Sequence, residues 1–113
     1  MKNILLATFM ALFSLSGFAQ EKANKNAKQS ITVKGNCEMC KKRIEKAAFA
    51  VKGVRSAVWS SETQKLELLI NENKTDSKKV QKAIANIGHD TEAYKAEQKD
   101  YDALHGCCQY VRD

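Results

Sequence analysis

Residues 30–53 read SITVKGNCEMCKKRIEKAAFAVKG, and this stretch decides the fold. Ser30, Ile31, Thr32, Val33 and Lys34 alternate polar with β-branched apolar residues, the pattern of a half-buried strand. Gly35-Asn36 then supplies turn chemistry. Beyond it Ile44, Ala47, Ala48 and Val51 recur at the i, i+3, i+4, i+7 spacing of an amphipathic helix. That helix is predicted to start near Met39 or Cys40 and to stop before Gly53. A strand–turn–helix unit is written here, with Cys37 and Cys40 at its turn.

Working toward the C-terminus, residues 54–61 (VRSAVWSS) and 65–70 (KLELLI) read as two strands joined across Glu62-Thr63-Gln64, a β-hairpin. Residues 71–76 (NENKTD) form a polar loop. Val80, Ala83, Ile84 and Ile87 repeat the helical spacing, which predicts a second helix over residues 77–87 with Gly88 as its stop. Residues 91–94 are expected to add a short edge strand. The order is β-α-β-β-α-β, and each helix owns one apolar stripe. The expected fold is therefore α+β: a ferredoxin-like sandwich with two helices on one face of a four-stranded antiparallel sheet. Residues 96–113 follow as a polar tail that carries Cys107 and Cys108.

Working toward the N-terminus, Met1-Lys2-Asn3 is a short basic start and residues 4–18 are largely apolar. Gly17 and Ala19 place small residues at the −3 and −1 positions of a cleavage site before Gln20. Residues 1–19 are read as a secretory signal peptide, being too short and interrupted for a membrane span. Residues 20–29 read as a solvated polar leader, residues 30–95 as the folded domain. A periplasmic or secreted location follows from this reading. The chain carries a formal net charge of +6, and cleavage would remove only Lys2, leaving +5. Its scattered lysines suit a solvated surface that docks an acidic partner. Neither nucleic acid nor, after cleavage, a membrane is an expected partner.

Four cysteines in an exported chain first suggest disulfides. Cys37 and Cys40 are three apart and Cys107 and Cys108 adjacent, so local pairing would close no long loop. Cross-pairing between the clusters would, which keeps a disulfide-stabilised interaction domain open as an alternative. A Cys-x-x-Cys pair at a helix start can instead present two thiolates to one ion. The unpaired N–H groups there, with Lys41, Lys42 and Arg43 nearby, are expected to lower a cysteine pKa. Cys40, four residues before Ile44, should face partly inward and Cys37 outward. Two thiolates without harder ligands favour soft ions such as copper(I), whereas a structural zinc(II) site wants four protein ligands. The spacing also occurs in thiol-disulfide redox proteins, but Asn36 precedes the first cysteine and the chain has no proline. No catalytic residue is assigned, and the chain is read as a non-enzymatic metal carrier or scavenger.

Lys34-Gly35-Asn36-Cys37-Glu38-Met39-Cys40, an amphipathic helix, then Gly53-Val54 and a hairpin together resemble the heavy-metal-associated domain family. That family includes copper chaperones, metal-binding domains of copper-transporting ATPases and the periplasmic mercury-binding protein. The resemblance covers residues 30–95. It implies Cys37 and Cys40 as metal ligands and Ala57 and Trp59 as inward positions of the second strand. The family pattern Gly-Met-x-Cys-x-x-Cys is one residue short here and lacks its methionine, whose place under the loop falls to Met39. The resemblance also brings the loop after the second helix toward the metal. His89 is then a third ligand or a gate, against a plain exposed loop histidine. The mercury-binding members make mercury(II) a further candidate. Outside the resemblance, Cys107 and Cys108 could fold back to make a three- or four-sulfur site, which would move the preference toward zinc(II) or a copper cluster. Adjacent residues of a strand point to opposite sides, so this needs a turn in the backbone there. The alternatives are a disulfide between the two and a free end.

Overall fold

The computed structural model describes residues 23–113, so the signal-peptide reading of residues 1–19 lies outside the described residues. The elements are β1 (Ala27–Thr32), α1 (Glu38–Phe49), β2 (Val54–Ser60), β3 (Lys65–Ile70), α2 (Ser77–Ala85) and α3 (Gln98–Asp102), followed by a 3-10 turn at Gly106–Cys108. Among the described residues one antiparallel sheet runs in the order β1-β3-β2.

The apolar side chains of β3 organise the sheet. Leu66, Leu68 and Ile70 lie on one face because side chains alternate across a strand. Leu66 is flanked by Ile31 and Trp59, Leu68 by Gln29 and Ala57, and Ile70 by Ala27 and Val54. A bulge between Val54 and Ser56 shifts the parity of β2. That shift lets Val54 share the inner face with Ala57 and Trp59, as strict alternation would not. Trp59 is buried and Ala57 half-buried, as the inward reading requires. Against this face α1 sets Cys40, Ile44 and Ala48, and α2 sets Val80, Ile84 and Ala85. The Asp76 carboxylate caps α2 by accepting from the Lys79 N–H.

Element ends shift by one or two residues, with β1 stopping at Thr32, α1 starting at Glu38 and α2 stopping at Ala85, and three larger differences from the sequence reading stand out. The solvated leader ends early, since β1 begins at Ala27. Ala27, Gln29, Ile31 and Val33 keep a period of two, and backbone pairing with β3 holds the strand although only some of these side chains are apolar. The fourth strand is reduced to one antiparallel bridge, Val33 with Thr91. Its ladder stops because the next backbone groups are occupied. The Thr32 N–H is taken by the Glu92 carboxylate and the Tyr94 N–H by the Thr91 hydroxyl, and these are the amides the next rungs would use.

The polar tail is the third difference. Residues 96–113 are a packed strap that buries Ala96, Leu104, Cys108 and Tyr110. It lies against Gly88, where an added Cβ would come within 2.7 Å of the Asp100 carbonyl oxygen. Gly88 also has φ +104°, so this helix stop serves both the reversal of the chain and the seating of the strap. No helix among the described residues is long and apolar enough to cross a membrane.

Candidate metal centre

The site begins at Gly35. A Cβ there would sit 3.0 Å from Trp59 Cζ2 and 3.1 Å from Cys40 Cβ, so the loop passes close over the indole. The Trp59 indole N–H donates to the Val33 carbonyl at 2.9 Å and fixes the ring beneath the loop. The place anticipated for Met39 is thus filled by Trp59, and Met39 is left 43% exposed. Cys37 is the extended residue before α1, with φ −133° and ψ 177°. Cys40 lies inside the first turn of α1, fully buried, and its sulfur accepts the Asn36 N–H at 3.3 Å. One sulfur inside and one near solvent is the arrangement the helical register called for.

The strap brings the second cysteine pair to the first. Its fixings are residue by residue. The Tyr110 hydroxyl accepts the Asp90 N–H at 2.7 Å and donates to the Gly88 carbonyl at 2.8 Å. The Arg112 guanidinium grips both Asp90 carboxylate oxygens at 2.8 and 3.0 Å. The Tyr101 hydroxyl donates to the Tyr110 carbonyl, and its ring meets Tyr110 edge-on at 5.1 Å. Between these anchors the 3-10 turn bends the backbone, and the Cys108 N–H closes onto the His105 carbonyl at 2.8 Å. This bend supplies the turn that two adjacent cysteines need to face one site.

The sulfurs of Cys37, Cys40 and Cys108 all lie within 4.8 Å of one another. Cys37 is 3.4 Å from Cys40 and 3.7 Å from Cys108. Cys107 is 3.4 Å from Cys37 and 3.9 Å from Cys108, but it falls outside the mutually close set, which places Cys40 beyond its reach. All four are free thiols, with Cys108 buried and Cys107 exposed.

Electrostatics divides the cluster. Burial resists ionisation of Cys37. The Cys40 backbone N–H and the thiols of Cys40, Cys107 and Cys108 outweigh that and bring it from 9.0 down to about 7. Cys107 is raised, first by its hydrogen bond to Cys37, and Cys108 is raised, first by burial. Cys37 is thus more acidic than Cys107 and Cys108. The basic flank is not the main cause. The Lys41 ammonium is turned to Glu45 and the Trp59 carbonyl, and Arg43 donates to the Ile87 carbonyl.

His89 sits apart from the close sulfur set and is fully buried, unlike an exposed loop histidine. Its Nδ1 bonds the Lys34 carbonyl at 2.8 Å, so Nδ1 carries the proton and Nε2 is left without a partner. Burial lowers its pKa against the pull of that carbonyl and keeps the ring neutral. Stacked on Tyr110 at 5.6 Å, it ties the strand leading into the cysteine loop to the strap. Sequence reasoning missed Tyr101, Leu104, Tyr110 and Arg112. A faint signal existed, since a solvated tail has little use for two tyrosines and a leucine spaced 101, 104, 110.

Comparison with known proteins agrees with the fold. The sequence profile of the heavy-metal-associated domain matches residues 30–90. A CopZ metallochaperone structure is 26% identical, covers 57% of this chain and 98% of its own, and superposes with a TM-score of 0.56. Oxidized MerP from Ralstonia metallidurans CH34 is 28% identical over 58% of this chain and 96% of its own, with a TM-score of 0.51. The Cu(I)-loaded N-terminal domain of a potential copper-translocating P-type ATPase from Bacillus subtilis shares the fold. It is 23% identical over 72% of this chain and 98% of its own, with a TM-score of 0.56. No curated protein matches the chain. With its cysteine loop, its Trp59-supported hairpin and a profile match over more than half its length, the chain belongs to the heavy-metal-associated domain family.

Proposed function

We propose that this protein is an exported copper(I)-binding protein that holds its ion on Cys37, Cys40 and Cys108 beneath the C-terminal strap. The observation that carries the reading is the position of the Cys108 sulfur, close to both others. A metal–sulfur bond of about 2.3 Å sets sulfurs about 4.0 Å apart in a trigonal site and about 3.8 Å apart in a tetrahedral one. The 3.4 and 3.7 Å separations at Cys37 need only a small opening to receive an ion. Three thiolates and no carboxylate or imidazole in the close set favour a soft ion. Copper(I) fits three-coordination, whereas zinc(II) asks for a fourth ligand; mercury(II) shares the thiolate preference.

A third sulfur donated from a tertiary strap favours retention over rapid exchange. Sequestration, or transfer only to a partner able to displace the strap, suits this geometry better than a bare two-thiolate shuttle. The lysine-rich surface suits an acidic donor or acceptor. Export through cleavage before Gln20 completes the reading, and it is checked by the N-terminal sequence of the protein recovered from outside the cytoplasm.

The binding test is a copper(I) titration of the reduced protein against a competing chelator. Cys37→Ser, Cys40→Ser and Cys108→Ser should each weaken the first ion. Unchanged affinity in Cys37→Ser would sink the proposal, and unchanged affinity in Cys108→Ser would return the site to a two-thiolate loop. A disulfide-reductase assay on the same material should give no activity above a thiol control.

A further inference from the structure

Two sulfurs on this surface have no part in the three-thiolate set, Met39 Sδ and Cys107 Sγ. They are neighbours, with the two sulfurs 3.9 Å apart. Both are exposed, and Cys107 is also 3.4 Å from the Cys37 sulfur. Trp59 supports the loop from below, so packing does not explain where Met39 is held. It occupies the first turn of α1, at the mouth of the site and beside Cys40. A thioether and a thiol, with a thiolate next to them, form a soft donor set with no hard ligand among them.

We propose that Met39 and Cys107 form a second, outer copper(I) position that shares the Cys37 sulfur with the inner one. A thiolate keeps lone pairs after binding one ion, so Cys37 can bridge two. The inner ion would be bound by Cys37, Cys40 and Cys108, and the outer ion by Cys37, Cys107 and Met39. The separation of Cys107 from the mutually close set is what divides the four thiols in this way. Binding is ligand exchange without a change of oxidation state. The outer ion forms bonds to the Cys107 sulfur, the Met39 sulfur and the already metallated Cys37. It releases one proton, from Cys107, and displaces the ligands of the copper carrier. Because Met39 and Cys107 are exposed while Cys40 and Cys108 are buried, an arriving ion would meet the outer donors first.

This inference rests on the three-thiolate reading, and one experiment separates the two. The reduced full-length protein is titrated anaerobically with copper(I), and the ion count per chain is read by native mass spectrometry. The wild-type monomer should take two ions, the second more weakly. Cys107→Ser should stop at one ion. Met39→Leu, close in volume, should weaken the second ion by about tenfold or more and leave the first unchanged. X-ray absorption of the two-ion form should show a copper–copper vector that disappears in Cys107→Ser. Saturation at one ion, a second ion found only in a dimer, or a Met39→Leu titration identical to wild type would each overturn the outer position. A first ion bound unchanged in Cys108→Ser would instead overturn the three-thiolate reading.

Discussion

The Cys37–Cys40 loop and the Cys107–Cys108 strap bring the same element to the same place by opposite routes. The loop is local: a strand, a turn and a helix start fix both sulfurs within four residues. The strap has only the five-residue α3 and a 3-10 turn, and its cysteines are placed by Tyr110, Arg112, Tyr101 and Leu104 gripping distant chain. Their acidities differ accordingly. Cys37 is lowered to about 7 because its neighbours donate to it, while Cys107 and Cys108 are raised. The two pairs are therefore built differently, the loop cysteines held by local backbone and the strap cysteines held only while Tyr110 and Arg112 keep their distant partners.

The sharpest way to break that comparison is to remove one sulfur from each side. Cys37→Ser should cost more than about 100-fold in affinity for the first copper(I), beyond the usual cost of losing a supporting group. Cys107→Ser should leave the first ion within about threefold of wild type, a difference of under 1 kcal/mol by the usual affinity arithmetic. Equal losses in chelator competition would erase the distinction between loop and strap.

Next in size is the anchor of the strap. Tyr110→Phe keeps the ring on His89 and Tyr101 but deletes the hydroxyl that joins Gly88 to Asp90. The cost should be about 1–3 kcal/mol in the metal-free protein, read as a fall in Tm, because two buried backbone groups lose their partner. Copper(I) affinity should fall with it, through Cys108. A stability loss with affinity untouched would show that the strap docks independently of its cysteines.

The pH dependence sharpens the contrast further. Alkylation of the metal-free protein should modify Cys37 with a midpoint near pH 7 and Cys107 with one above the ordinary 9.0. In Cys107→Ala the Cys37 midpoint should move up, since a donor to its thiolate is gone. The sign for stability follows. The folded pKa of Cys37 lies below the unfolded one, so its contribution is complete above about pH 9, declines below it and is gone once the pH falls beneath about 7. A single common midpoint for all accessible thiols would contradict the donor network.

The smallest effect concerns the ion pair. Arg112→Lys keeps the charge but loses the fork onto Asp90, and should cost under about 1 kcal/mol at neutral pH. Burial opposes ionisation of Asp90 but Arg112 outweighs it and lowers its pKa. The contribution is therefore present above the unfolded carboxylate pKa and is lost as pH falls through the lower folded value. An acid titration should show the wild-type strap, followed by Tyr101 and Tyr110 near-ultraviolet signals, surviving to lower pH than in Arg112→Lys.

The sequence by itself determined the body. Periodicity of 2 in β3, and of 3.6 around Ile44 and around Val80 and Ile84, is enough to set strands, helices and their inner faces. The register of α1 alone puts Cys40 inside and Cys37 near solvent. The elements with no period were left to the tertiary structure. Ala27 joined β1 through backbone pairing that its own side chain scarcely advertises. The fourth strand gave way to the Glu92 carboxylate and the Thr91 hydroxyl, which captured the amides of its ladder. His89 turned inward because one carbonyl accepts its Nδ1 proton. Above all, Cys108 became a neighbour of Cys37 through contacts spanning 71 residues of chain. Local patterns are legible because every residue in a helix or strand repeats the same geometry. A strap held by one tyrosine hydroxyl and one guanidinium repeats nothing, so its place exists only once the surfaces it docks on have folded.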